Sequence, residues 1–462
     1  MNPLHTFSTL VRSAVPRIMW QKVPHTMAAQ NYKQLDSFSM SEKLSIEHLR
    51  QHQFEQLFVL FNFARQHVPY YQQKMADLPC INHPQVLAEL WPELPLLTRS
   101  LLQQAGPSIF ALEALPAHEP AELLSSSGST GQPVTVKGNI ATQFFWNAIS
   151  LRNHLWHQDK FDKTFAAIRF TENKAAQPPF GTSYPHWSTA TFPIVETGPC
   201  HHLTLCTAEE EARWLMQINP DYLNCNPSTL REITQYFAQL NQKPSRLKKV
   251  HTHSEIVEPQ LRTLVQEVLG IPLIDTYSAK EVGYIALQCS ENENYHIQAE
   301  NLMVEILNDK NSPCQPGETG RVVITTLHNF SSPLIRYEIG DYAIVGEPCS
   351  CGRTLPVIKQ ILGRKRNILK MPDGRQVWPA FANNGLRLMD LFAGAQFQVI
   401  QKSLNEIHIN LALIKPFSDV EENSLREKLI TIFSHPFDFT FNYISHIPRS
   451  AGGKFEDFKC EI

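Results

Sequence analysis

The chain predicts an α/β protein of two domains, a large one built from helix-covered sheets and a small α+β unit at the C-terminus. Three observations carry that expectation. At 462 residues the chain is too long for one ordinary core. Short strand-like and longer helix-like segments alternate up to about residue 345, the order that yields sheets covered by helices. From about residue 400 a strand, a capped helix and a second strand follow closely, enough for a separate unit.

Residues 41–75 read as helix, because Leu44, His48, Phe54, Leu57, Leu60 and Phe61 recur near helical spacing and "HVPYY" then interrupts them. "LKKVHTHSE", "IPLIDTYS" and "GRVVITTL" read as short strands, and "SEIVEPQLRTLVQEVLG" as a helix closed by Gly270. In the C-terminal unit, "EIHINLALI" sets Ile407, Ile409, Leu411 and Leu413 on one face. "FSDVEENSLREKLITIF" opens with a capping box from Ser418 to Glu421 and aligns Leu425, Leu429 and Phe433. "FDFTFNYI" alternates Phe437, Phe439, Phe441 and Tyr443.

Composition narrows the function. With 42% hydrophobic and 18% charged residues the chain reads as a globular enzyme. A net charge of -3 gives no electrostatic reason for nucleic acid or an anionic membrane as partner, and no apolar run is long enough to span a bilayer. Nine cysteines without a regular framework point to the reducing cytoplasm. Arg12, Arg17, Lys22 and Lys33 precede the first acid, Asp36, as in a targeting segment, but Pro3, Pro16 and Pro24 interrupt any helix there.

The stretch "LLSSSGSTGQPVTVKG" concentrates small hydroxyls and glycines just before the alternation of a strand. Such a loop is either an ordinary surface turn or an anion cradle of converging amides and hydroxyls. No Gly-Lys-Ser or Gly-Lys-Thr closes it, which excludes the Walker type of phosphate loop.

Further along stand "DTYSAKEVG", "SPLIRYEIGD", "ILGRKRNILKMPDGRQVWP" and "IPRSAGGKFED". Each is weak alone. In this order and at these intervals they resemble the adenylate-forming superfamily of acyl-CoA synthetases and adenylation domains, over nearly the whole chain. "FARQHVPYYQQK", "WPELPLLTRSLLQQ", "GYIALQC" and "CSCGRTLPVI" are similar to the phenylacetate-CoA ligase family, in its capsule-biosynthesis or coenzyme F390 synthetase-like branch. The resemblance implies a large adenylate-forming domain over residues 1–362, a hinge at 363–366 and a small mobile lid domain over 367–462. It implies ATP, Mg²⁺ and a small carboxylic acid as ligands, coenzyme A or a carrier protein as acceptor, and it admits a homodimer.

By that resemblance, Ser125, Ser126, Ser127, Gly128, Ser129, Thr130 and Gly131 would hold the β and γ phosphates through amides and hydroxyls. Glu281 would bind Mg²⁺, Tyr277 would offer a face to adenine, and Asp341 would accept the ribose hydroxyls, with Arg364 also reaching the ribose. Lys454, on a Gly-rich turn of the small domain, would bridge the carboxylate and the α-phosphate. Three positions depart from the family pattern: Ser278 stands where glycine usually follows the tyrosine. Lys280 stands where a hydroxyl residue usually precedes the glutamate, and either replaces that contact or points away. The hinge position, commonly Asp, is Arg366.

Cys289, His296, Cys349 and Cys351 form a set of soft ligands that would close a structural zinc site or remain buried thiols, with Cys314 as a spare. The acid pocket is the least legible part. Phe145, Tyr184, His251, His253 and Glu255 occupy the segments that line it in relatives. The aromatics serve equally as core, and the histidines either bond a polar substituent or cap the strand. The reading is therefore ATP-dependent activation of a carboxylic acid as acyl-adenylate, with pyrophosphate released and the acyl group passed to a thiol, that of CoA. Transfer to an amine or carrier protein, adenylyl transfer to a hydroxyl, and a degenerate nucleotide-binding scaffold are the rivals.

Overall fold

The computed structural model describes residues 26–113, 115, 119–126, 133–188, 191, 194–364, 368–377, 396–413, 415–449, 455–456 and 458–462. Two compact units divide them: residues up to Val257 with Leu261–Ile361, and Leu362–Ile462 with Glu258–Gln260.

The first unit opens with helices α1 (Thr26–Ser41) and α2 (Ile46–His67). Ser45 caps α2 by accepting from the His48 amide, which is why the helix starts there and not at residue 41. A short helix α3 (Arg99–Ala105) is capped by Thr98. A hairpin of β1 (Glu122–Ser125) and β2 (Thr135–Gly138) precedes α4 (Ile140–Trp156), whose Asn139–Thr142 capping box fixes its start.

The central sheet contains β3 (Phe165–Ile168), β4 (Thr182–Tyr184), β5 (Cys200–Leu203), β6 (Tyr222–Cys225), β7 (Lys249–His253), β8 (Leu273–Ala279), β9 (Gly283–Gln288), β10 (Tyr295–Ile297), β11 (Leu302–Leu307), β12 (Thr319–Thr326), β13 (Tyr337–Val345) and β14 (Val357–Arg364). Their order is β11-β12-β13-β14-β10-β9-β8-β7-β6-β3-β5-β4, with Leu97–Thr98 added in parallel to β13. The run β5-β3-β6-β7-β8 is parallel, and its crossovers use α5 (Ala208–Ile218), α6 (Pro227–Leu240) and α7 (Pro259–Val268). One face of this run, including Ala166, Leu223, Val250 and Leu273, packs on Trp214, Leu230, Phe237 and Leu261 of those helices. The other face carries Phe165, Tyr222 and His251, among which pack His154 at the end of α4 and Trp187. Strands buried on both faces explain why "IPLIDTYS" is nearly continuous in apolar character.

The helix expected from Ser254 begins at Pro259. Ser254 has a left-handed backbone (φ +74°), which ends β7 in a turn, and proline then starts the helix. Among the described residues no helix is long and apolar enough to cross a membrane.

In the second unit, β15 (Gln396–Gln401), β16 (Glu406–Ala412), α8 (Asp419–Phe433), β17 (Asp438–Tyr443) and β18 (Phe458–Cys460) form a four-stranded sheet of order β17-β16-β15-β18 under one helix. Ser418 and Glu421 make the expected capping box, and Leu425, Leu429 and Phe433 pack on Ile407, Ile409 and Phe439. The α/β architecture with a smaller α+β unit is thus the one expected.

Candidate active site

The phosphate-loop candidate sits on the β1–β2 hairpin. Ser126 closes the ladder: its amide donates to Val134 O at 2.9 Å and its Oγ accepts from the Val134 amide at 2.9 Å. Ser125 and Thr135 hydroxyls meet at 3.0 Å. Ser127, Gly128, Ser129, Thr130 and Gly131 lie outside the described residues, as do Arg366 and Lys454.

Arg99, the first residue of α3, ties this hairpin to the turn after β8. Its Nη2 donates to Ser126 Oγ at 3.0 Å, and its Nη1 lies 3.6 Å from Glu281 Oε1. Both side chains are largely buried, at 15% and 4% exposed. Among the described residues Arg99 Nε and Nη1 make no hydrogen bond, so a buried cation is aimed at a carboxylate with donors to spare. Tyr337 is buried beside them, and burial raises its phenol well above the usual range.

Tyr277 and Asp341, about 150 and 210 residues past the loop, meet directly: the phenol donates to Asp341 Oδ2 at 2.7 Å. Gly340 allows this approach, since its φ of +93° is a conformation few side-chain-bearing residues adopt. Lys280 is exposed in the turn between β8 and β9, while the adjacent Glu281 is buried. Arg364 is half-buried at the last position of β14.

The acid-pocket candidates separate. Phe145 stacks face to face on His328 at 4.2 Å and against Phe38 at 6.4 Å. Tyr184 is exposed on β4 against His202. His251 is buried, its Nε2 3.0 Å from Asp159 Oδ2, an oxygen that also contacts His154 Nδ1 at 2.8 Å while Lys249 Nζ holds Oδ1 at 2.7 Å. Burial alone would raise the Asp159 carboxyl, but the histidines outweigh it and hold it far below the usual range. His251 is thus committed to an internal charge cluster rather than to a pocket wall. Glu255 accepts from the Ser228 amide at 2.9 Å, capping α6, which has no side-chain cap of its own. His253 alone stands at a strand end with a side chain partner, Asn224.

The four soft ligands do converge. The ligand atoms of Cys289, His296, Cys349 and Cys351 all lie within 4.8 Å of one another. Cys289 and Cys349 sulfurs are 3.7 Å apart, and Cys351 Sγ is 3.3 Å from His296 Nε2. The turn after β9 supplies one thiol, β10 the imidazole, and the loop before β14 the other two. Burial pushes the Cys289 thiol up to about 12. Burial also opposes ionisation of Cys349, but bonds from Asn292, the Cys351 amide and the neighbouring thiols bring it down to about 7. Burial and the nearby Arg353 hold His296 at about 4, neutral and able to ligate. Cys314 is elsewhere, against Thr319 O.

The CapK C-terminal domain family matches residues 384–460. Over 89% of its length the chain is 24% identical to the phenylacetate-coenzyme A ligase of Thermus thermophilus, of which 96% is covered. The chain is thus similar to phenylacetate-coenzyme A ligases and, over about half of its length, to the CapK protein of Staphylococcus aureus. Another phenylacetate-coenzyme A ligase, from Pseudomonas putida, is 26% identical over 65% of this ligase-like chain and 67% of its own. The fold is that of a 2-hydroxyisobutyryl-CoA ligase solved in the postadenylation state with 2-HIB-AMP, at a TM-score of 0.70, 16% identity and 91% coverage of both chains.

Sequence reasoning missed Arg99 and Asp159, and reached Asn224 only as part of "NCNPSTL", a segment that lines the acyl pocket in relatives. Arg99 sat in a quoted motif, "LPLLTRSLL", but its meaning depends on Leu97–Thr98 joining β13, a pairing across about 240 residues. Asp159 carries no local signal at all.

Proposed function

We propose that the protein activates a carboxylic acid with ATP and Mg²⁺, releases pyrophosphate, and passes the acyl group from the acyl-adenylate to the thiol of CoA. The observation that carries this reading is the Arg99–Ser126–Glu281 cluster, whose Glu281 follows the Tyr277 of the Tyr277–Asp341 pair by four residues, in a chain that aligns with a phenylacetate-CoA ligase over most of its length.

On this reading the loop from Ser125 to Gly131 binds the phosphate chain with Arg99, whose unused donors suit phosphate oxygens. Glu281 would hold Mg²⁺, which when bound would supply charge neutralisation to the phosphate oxygens, with Arg99 beside it. Tyr277 packs on adenine, and Asp341 accepts from the ribose, steadied by the Tyr277 hydroxyl. Arg364 assists at the ribose, and Lys280, exposed in its turn, reaches toward the α-phosphate region. Lys454 bridges carboxylate and α-phosphate, and rotation about Arg366 exchanges that state for thioester formation.

The cluster Cys289, His296, Cys349 and Cys351 holds a structural Zn²⁺. Four soft ligand atoms within reach of one ion, supported by Asn292, favour that assignment over buried thiols. It pins the loops on either side of β10 and takes no part in the reaction. The nine cysteines, all without disulfides, support a cytoplasmic setting.

The test is acid-dependent pyrophosphate release across aryl, fatty and amino acids, with and without CoA, with products weighed by mass spectrometry. Release with AMP and an acyl-CoA product is expected. An adenylylated product would instead identify a hydroxyl acceptor, and no release with any acid would leave a nucleotide-binding scaffold.

A further inference from the structure

The face of the parallel sheet beside α4 changes character along the strands. Its first row, Phe165, Tyr222 and Lys249 in register, is closed by Phe161, Trp187 and His154. The next row pairs Ala167, Asn224, His251 and Ile274, and beyond it His253 faces Thr276. Here, beside the His251 and His253 imidazoles and Ile274, the sheet presents small and polar groups instead of large aromatic rings. Ala167 and Thr276 fill little space, and Asn224 and His253 are only partly buried. These rows lead directly to Tyr277 and Glu281, at the carboxyl ends of the strands, where open α/β sheets bind their ligands.

Within these rows His253 Nε2 is 2.9 Å from Asn224 Oδ1, and His253 Nδ1 is 2.8 Å from Ser254 Oγ. An amide oxygen only accepts, so the ring donates through Nε2 and leaves Nδ1 to accept from the serine hydroxyl. In this arrangement the Asn224 amide has its oxygen toward the histidine. The Asn224 Nδ2 donors make no hydrogen bond among the described residues. Ser254, which orients the ring, holds the left-handed backbone conformation (φ +74°) that is costly for a residue other than glycine.

We propose that Asn224, positioned by His253 and Ser254, reads a hydrogen-bonding oxygen on the substrate acid, distal to its carboxylate. The proposal rests on the acid-activating reading above and names the substrate class: acids bearing a hydroxyl or comparable acceptor rather than plain hydrocarbon acids. An unsubstituted acid would strip water from the Asn224 amide and give nothing back, whereas a hydroxyl oxygen accepts from Nδ2. Asn224 is a specificity residue and His253 a positioning residue.

The experiment compares kcat/KM for pyrophosphate release with matched acids: phenylacetate against its ring-hydroxylated isomers, and hexanoate against its ω-hydroxy derivative. In the native protein at least one hydroxylated acid should exceed its parent by about tenfold or more. That ratio should fall toward unity in Asn224→Leu and His253→Phe, and return in His253→Gln, whose amide can again donate to Asn224. Because each ratio is taken within one protein, a general loss of folded enzyme does not move it. Ratios near unity for both pairs in the native protein, or ratios that survive both variants, would overturn the proposal while leaving acid activation intact. Absence of pyrophosphate release with every acid would overturn the acid-activating reading and this proposal together.

Discussion

Replacing Arg99 by methionine keeps most of the side chain's volume and removes its charge from beside Glu281. At 3.6 Å, and with an effective dielectric of about 20, their attraction is about 4–5 kcal/mol. Some of that is already offset by the desolvation of both groups, so a net loss of about 3 kcal/mol in folding stability is expected, because a carboxylate 4% exposed is left without its charge partner. The double variant Arg99→Met/Glu281→Gln removes both charges and should recover to within about 1 kcal/mol of the native protein, since replacing both members of a buried pair costs far less than orphaning one. Activity should separate from stability: both variants should lose acid-dependent pyrophosphate release by about 100-fold or more, the effect of losing a charge aimed at developing phosphate charge. Urea denaturation and pyrophosphate release measure the two quantities side by side. A single variant that costs under 1 kcal/mol, a double variant no better than the single, or release within about threefold of native in Arg99→Met would refute the reasoning.

Tyr277→Phe removes the 2.7 Å bond to Asp341; we expect about 1 kcal/mol lost in stability and KM for ATP raised severalfold, read from initial rates at saturating acid. The metal assignment predicts about one zinc per chain by elemental analysis of the purified protein, falling sharply in Cys351→Ser with a lower melting temperature; a metal-free protein of unchanged melting temperature would refute it. Burial lowers the pKa of His154, which is faced by Asp159, His251 and Lys249. Below the ordinary histidine value of about 6.5 the unfolded chain therefore binds a proton that the folded one does not, and stability falls as pH drops from 7 toward 5, by up to about 1.4 kcal/mol per pH unit for this group. Asp159 stays ionised across that window, because its carboxyl is held far below the usual range. The difference between urea midpoints at the two pH values should narrow in His154→Gln, with the remainder left by other depressed histidines such as His296, and an undiminished difference there would assign the whole effect to those groups.

Local rules made much of the architecture legible. The Ser418–Glu421 capping box and the alternation at Ile407, Ile409 and Leu411 specify their elements within a few residues, since capping and face alternation act between near neighbours. The same logic failed at Ser254, where a left-handed residue and a downstream proline moved the start of α7 to Pro259. In the site, Tyr277 and Asp341 were named from motifs, and the cysteine and histidine ligands from residue type. Only the pairing of β10 with β14 and its flanking loops brings those ligands together.

By itself the sequence determined the α/β class and the secondary structure of the C-terminal unit, because both depend on residue type and short spacing, whereas the nucleotide-site candidates came from resemblance to a known family. Tertiary structure alone decided that Arg99 faces Glu281, that His251 serves Asp159 while His253 serves Asn224, and that Phe145 rests on His328. Those choices are set by strand order and register between distant segments. His251 and His253, two residues apart on one strand face, differ only in which row of the sheet each occupies, and the side chains contributed by other strands and by α4 give each row its chemistry.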